Sequence, residues 1–200
     1  MGDRRFDHRS KDTFKKDIKF GTRIETYFWN QWLKVAENAG FKIEDYGDNG
    51  VDNSGEFIPS GKCTAGADYI VTMSYKGHKC EDLPLEVKWV PTAGKLTLKE
   101  NDLKAYQKEE AAILFIYNSV KCDVILKKPK DYDFDKHIKR IEGKANDIKW
   151  GIMMPEKVSE LLTTYQDRFE PIWYMGNKSG IIIKQEEFSK FFNIHDWKNI

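Results

Sequence analysis

Two apolar, alternating runs separated by a short turn constrain this chain more than any other feature. The first is Ala67-Asp68-Tyr69-Ile70-Val71-Thr72-Met73-Ser74-Tyr75, and the second is Leu83-Pro84-Leu85-Glu86-Val87-Lys88-Trp89-Val90. Lys76-Gly77-His78 lies between them as a turn, so the runs are expected to pair as an antiparallel hairpin. In the second run Leu85, Val87 and Trp89 alternate with Glu86 and Lys88. A strand therefore buries the first set and presents both charges side by side on the other face. Asp68 opens the partner strand. Two carboxylates and an ammonium on a rigid sheet are what metal-assisted phosphodiester hydrolysis needs. The carboxylates hold a hard divalent cation, and the lysine orients the attacking water or offsets the developing charge.

The triplet acid-x-Lys is common in a chain that is 32% charged, recurring at Asp17-Lys19, Asp102-Lys104, Glu142-Lys144, Asp147-Lys149 and Asp196-Lys198. Only Glu86-Val87-Lys88 sits inside an alternating strand with an aspartate-bearing strand just before it. Its flanks add to the pattern. Upstream, apolar residues at 20, 24, 27, 28, 32, 35, 36 and 39 follow a helical period, and Gly40 is placed to stop the helix. On that helix Glu25 falls at the margin of the apolar stripe, where a carboxylate can reach the edge of an underlying sheet. Downstream, Thr97-Leu98-Lys99-Glu100 reads as a capping box, with Thr97 as N-cap of a helix running to about Glu110. Ala112 to Tyr117 then reads as a buried strand before an Asn118-Ser119 turn.

Taken together these segments resemble the PD-(D/E)XK nuclease superfamily, whose motif is an aspartate, a variable spacer and Glu-x-Lys. Here the motif runs Asp68, seventeen residues, then Glu86-Val87-Lys88; the proline that often precedes the aspartate is replaced by Ala67. The resemblance covers residues 20 to 117. It implies an α/β (α+β) fold with a restriction-endonuclease-like core, a mixed central β-sheet flanked by helices in the order α-β-β-α-β. Residues 1–200 would form a single nuclease domain, with a catalytic core over about 18–126 and a C-terminal extension over about 127–200. Asp68 and Glu86 would bind Mg²⁺, with Mn²⁺ able to substitute, and the Val87 carbonyl would complete the site. Lys88 would position and activate the water, and Glu25 would be an outer or second metal ligand. Lys104, Gln107 and Lys108, on the helix after the Glu-x-Lys strand, are the expected substrate contacts.

The implied activity is that of a metal-dependent endodeoxyribonuclease leaving 5′-phosphate and 3′-hydroxyl ends. Restriction, homing, junction resolution, repair and phage-type DNA degradation all use this core, so the fold does not choose among them. The rival readings are a non-catalytic nucleic-acid-binding or assembly protein on the same fold, and an exonuclease or RNA-directed nuclease. One active site on a chain of this size implies a homodimer for double-strand cleavage.

Composition sets bounds on these readings. A hydrophobic content of 40% with six tryptophans excludes wholesale disorder, and 200 residues suit one domain with a sizeable core. The charged start, Met1 to Arg9, has no signal-peptide core, and the longest apolar stretch, Ala111 to Tyr117, is far short of a membrane span. A cytoplasmic location, the host cytoplasm for a viral chain, is the expectation. Net charge is only +1, so any contact with DNA must come from local clusters: Lys15, Lys16 and Lys19; Lys127, Lys128 and Lys130; or Lys136, Lys139 and Arg140.

Cys63, Cys80 and Cys122 show neither a disulfide framework nor zinc spacing. Glu44 to Glu56 is acidic but fails the calcium-loop pattern, with Gly50 and Asn53 in the wrong places, and reads as a long loop. Beyond Leu126 the resemblance fades. Helices are expected over Phe134–Ala145 and Pro155–Tyr165, then a hairpin of Pro171–Met175 with Gly180–Lys184, then an apolar helix or turn over Glu186–Phe192. This third could cover the sheet, contact DNA or build a dimer.

Overall fold

A computed structural model describes residues 11–49, 66–91, 94–120, 129–173 and 178–197. The chain opens with a long helix, α1 (Lys11–Asn38), which starts nine residues before the apolar period does. It ends where expected: Gly40 takes φ +86°, a left-handed conformation that costs a glycine little. Strand β1 (Phe41–Asp48) follows at once. Glu44–Asp48 are therefore strand rather than loop; the remainder of that expected loop, from residue 50, lies outside the described residues. Pairing with the next strand, β2 (Tyr69–Tyr75), overrides the acidic composition, with a bulge between Ile43 and Asp45 that absorbs one extra residue.

The expected hairpin is present. β2 pairs antiparallel with β3 (His78–Val90) across Lys76-Gly77, both at positive φ, the conformation that tight hairpin turns favour. The chain then departs from expectation. Thr97 caps no helix: it lies in β4 (Lys95–Lys99), and α2 (Glu100–Lys108) begins after Lys99, which makes no side-chain cap. The physical reason is long-range. Leu96 and Leu98 alternate with polar residues, and β4 gains a ladder of partners from Gly180 to Lys184 that a local capping box cannot match. β5 (Ala112–Asn118) is buried throughout, as its unbroken apolar run requires.

The C-terminal third covers and completes this layer. Helices α3 (Phe134–Glu142) and α4 (Pro155–Thr164) fall where the sequence puts them, with β6 (Ile148–Met153) between. β7 (Glu170–Ile172) and β8 (Lys178–Lys184) pair antiparallel, a 3₁₀ turn covers Gln185–Lys190, and β9 (His195–Asp196) ends the fold. Among the described residues two sheets form: a six-stranded one ordered β1-β2-β3-β5-β6-β9 and a three-stranded one ordered β4-β8-β7. Only β3 and β5 run parallel in the first, so the central sheet is mixed. Parallel neighbours need a crossover, and here β4 and α2 supply it.

The alternation of β5 divides the interior into two cores. Ala112, Leu114 and Ile116 face α1, where Phe28, Trp29, Trp32 and Trp150 are buried. Ile113, Phe115 and Tyr117 face α2, α4 and the second sheet. At about 1.5–3 kcal/mol per buried large apolar side chain, either core is a major contributor to stability. Among the described residues no helix is long and apolar enough to cross a membrane.

Candidate active site

The site forms where β2 and β3 part. Their ladder ends at the pair Tyr69–Leu85, yet β3 continues alongside β5 as far as the pair Val90–Tyr117. Beyond Leu85, the edge of β3 that β2 would have covered is left to another partner. Asp68 takes that place: its Oδ2 accepts the Val87 N–H at 2.8 Å. The N–H and C=O of one strand residue leave by the same edge, so the Val87 carbonyl looks out beside this carboxylate. Asp68 is itself held from both sides. The preceding Ala67 N–H donates to Glu109 Oε2 at 3.1 Å, the Ala67 carbonyl accepts from Asn49 Nδ2 at 3.0 Å, and the Asp68 carbonyl accepts the Asn49 N–H at 3.0 Å.

Glu86 and Lys88 share the face of β3 that looks toward α2. That face is not a solvated one: Glu86 is 5% exposed. A buried carboxylate costs several kcal/mol unless paired, and two partners answer it. Lys88 Nζ forms an ion pair with Glu86 Oε1, and the Tyr106 hydroxyl donates to the same oxygen at 2.8 Å. The Lys88 ammonium also lies 5.8 Å from the centre of the Tyr106 ring. Burial works against the Lys88 cation, but Glu86, Tyr106 and Glu25 outweigh it and hold the ammonium charged well above the usual lysine range. Asp68 is also shifted upward, which for a carboxylate favours the neutral form. Burial first, then the Glu86 charge and more weakly that of Glu25, push it up to about 8 against the opposing pull of the Val87 N–H and Lys88.

Glu25 is carried by α1, the helix that packs on the other face of the sheet. It acts electrostatically on both Asp68 and Lys88. Its neighbours one turn on fix the helix there: Trp29 stacks on Tyr69 with centroids 4.0 Å apart, and Phe28 lies 4.3 Å from Trp89. These contacts tie α1 to β2 and β3 on either side of the fork. Asp68, Glu86 and Lys88 are thus brought together, with Glu25 within electrostatic reach of Asp68 and Lys88.

Tyr106 and Asp102 were missed. With Lys99 and Thr97 they line a cavity of about 200 Å³ that opens on Lys88. The available signal was the helical spacing of Asp102, Leu103 and Tyr106, which puts them near one face of α2; Leu103 and Tyr106 are its buried residues. Lys104 and Gln107 point elsewhere. They line a cleft with Leu162, Thr163 and Gln166 of the α4 region, and Lys104 pairs with Glu100 at 2.6 Å. Lys108 is exposed at the end of the same helix.

Among the described residues no group of three or more His, Cys, Asp or Glu side chains is arranged to hold a metal. Cys63 and Cys122 lie outside the described residues, and Cys80 is a free thiol. Two carboxylates and a main-chain carbonyl nevertheless suit Mg²⁺, which binds through one or two carboxylates and keeps several waters. The raised pKa of Asp68 fits such an ion: a buried carboxylate crowded by a second one is relieved by a divalent cation. No family model, curated protein or solved structure matches this chain.

Proposed function

We propose that this chain is a Mg²⁺-dependent endodeoxyribonuclease on a restriction-endonuclease-like, PD-(D/E)XK core. The observation that carries the proposal is the fork between β2 and β3, where Asp68 meets the Val87 backbone beside the Glu86–Lys88 pair. The element order supports it: α1, the β2–β3 hairpin, α2 and β5 follow the expected α-β-β-α-β sequence, with β1 and β4 as additions. Asp68, Glu86 and the Val87 carbonyl would hold the cation, and Glu25 would act as an outer or second ligand. Bound there, Mg²⁺ would polarise the scissile phosphate and acidify a water.

The remaining work falls to the protein. Lys88 stays protonated at neutral pH, so it acts as a hydrogen-bond donor and fixed charge rather than as a general base. It orients the nucleophilic water and offsets charge on the phosphorane. Tyr106, by binding the Glu86 oxygen that Lys88 also uses, fixes the carboxylate rotamer and hence the ammonium position.

The test is incubation of supercoiled plasmid with Mg²⁺ or Mn²⁺, wild type beside Lys88→Ala. Wild type is expected to nick or linearise the circle, and Lys88→Ala to be slower by roughly a hundredfold or more. An end-dependent exonuclease would spare the circle. Equal rates for the two proteins would remove Lys88, and with it the proposed site, from the reaction.

A further inference from the structure

We propose that the outer face of β4 is a rail that carries the phosphate backbone of a nucleic-acid strand to Lys88; the identity of the occupant rests on the nuclease reading. β4 buries Leu96 and Leu98 and turns Lys95, Thr97 and Lys99 to the opposite face. Alternate strand residues are about 6.6–6.8 Å apart, so the two ammoniums and the hydroxyl form an evenly spaced row suited to a repeating anion.

The row leads to the active site. Lys88, Lys95 and Thr97 line one cavity of about 430 Å³; Lys88, Thr97 and Lys99 line the adjoining one of about 200 Å³. Lys88, Thr97 and Leu98 are common to both, which makes them one groove with the catalytic lysine at its junction. Basic side chains cluster along it. Lys95 stands directly opposite Lys184 in the β4–β8 ladder, an arrangement that like charges disfavour. Asp102 lies 3.3 Å from Lys99, and Glu186 shares a cleft with Lys95 and Lys184.

β8 pairs beside β4 in the same sheet, where a Cβ on Gly180 would sit 2.6 Å from the Leu98 carbonyl oxygen. Lys104 and Gln107, in contrast, line a cleft that shares no lining residue with this groove.

The experiment compares two double variants, Lys95→Gln with Lys99→Gln and Lys104→Gln with Lys108→Gln. Fluorescence anisotropy follows binding of labelled single-stranded and duplex oligonucleotides in Ca²⁺ across a salt series. The first double variant is expected to bind roughly tenfold or more weakly near 0.1 M salt and to lose about 1.5–2 from the log–log salt slope. The second should change affinity by less than about twofold. Single variants, each losing about 1 from the slope, serve if the first double does not fold. The rail is overturned if the α2 variant carries the loss instead, or if wild type binds neither oligonucleotide. Plasmid cleavage separates the two ideas. A protein that binds along the rail but cuts nothing refutes the nuclease reading alone; one that cuts, yet binds normally without Lys95 and Lys99, refutes the rail alone.

Discussion

The two faces of β3 differ in kind although alternate residues of one strand build them. Toward α1, Leu85 and Val87 enter a core of stacked aromatic rings in which shape and apolar area do the stabilising. Toward α2, Glu86 and Lys88 sit among Tyr106, Asp102 and Thr97, where each charge is tolerable only because another group answers it. The first face tolerates loss of chemistry but not loss of volume. The second should do the reverse, because its groups are held for their charge and position.

The sharpest way to break this comparison is to truncate on the apolar face. Leu85→Ala removes a fully buried side chain next to Glu86 and is expected to cost about 3 kcal/mol of stability. Below its melting temperature the folded variant should still cleave within about threefold of wild type. Urea denaturation and plasmid cleavage on one sample give both numbers; a large loss of turnover in the folded protein would mean that the two faces are not separable.

The next test uses pH. An ordinary aspartate titrates near 4, whereas Asp68 is pushed up to about 8 in the folded chain. Between those values the folded state keeps a proton that the unfolded state has released, so this residue's contribution to stability falls as pH rises. Asp68→Asn removes that slope. In EDTA the variant should match wild type near pH 4 and exceed it by on the order of 2 kcal/mol at pH 8, allowing for solvent screening. Added Mg²⁺ should stabilise wild type more than the variant, by mass action on the folded state. A difference that is constant from pH 4 to pH 8 would contradict the burial and charge crowding assigned to Asp68. Glu86→Gln should differ in sign, losing stability, because breaking the buried ion pair with Lys88 outweighs the crowding of Asp68 that it relieves.

Tyr106→Phe is the smallest perturbation. It deletes one hydroxyl and leaves the ring, with an expected loss of about 1 kcal/mol in stability. Turnover should fall severalfold with DNA affinity unchanged, since the phenol acts on Glu86 and Lys88 rather than on substrate. Equal falls in affinity and turnover would instead place the hydroxyl against the DNA.

Much of this was legible in the chain. The hairpin, the aspartate at its head, the Glu-x-Lys alternation, β5, α3 and α4 could all be read because their signals are local: a period of two, a period of 3.6, a Gly in a turn. Two errors share one cause. β1 looked like an acidic loop and β4 like a capped helix start, and both are strands because a distant partner supplies their hydrogen bonds: β2 in one case, β8 in the other.

The sequence by itself determined which residues of β3 share a face, because side-chain alternation is a property of the backbone alone. It also determined where α1 must stop and which run must be buried on both sides. Only the tertiary structure decided that β2 releases β3 after Leu85, leaving a backbone edge for Asp68 to bind, and that Tyr106 and Glu25, on helices packed against opposite faces of the sheet, both act on Lys88. Those outcomes depend on how far a ladder extends and how helices pack across a sheet. Both are set by the balance of contacts between segments distant in the chain, which no local pattern encodes.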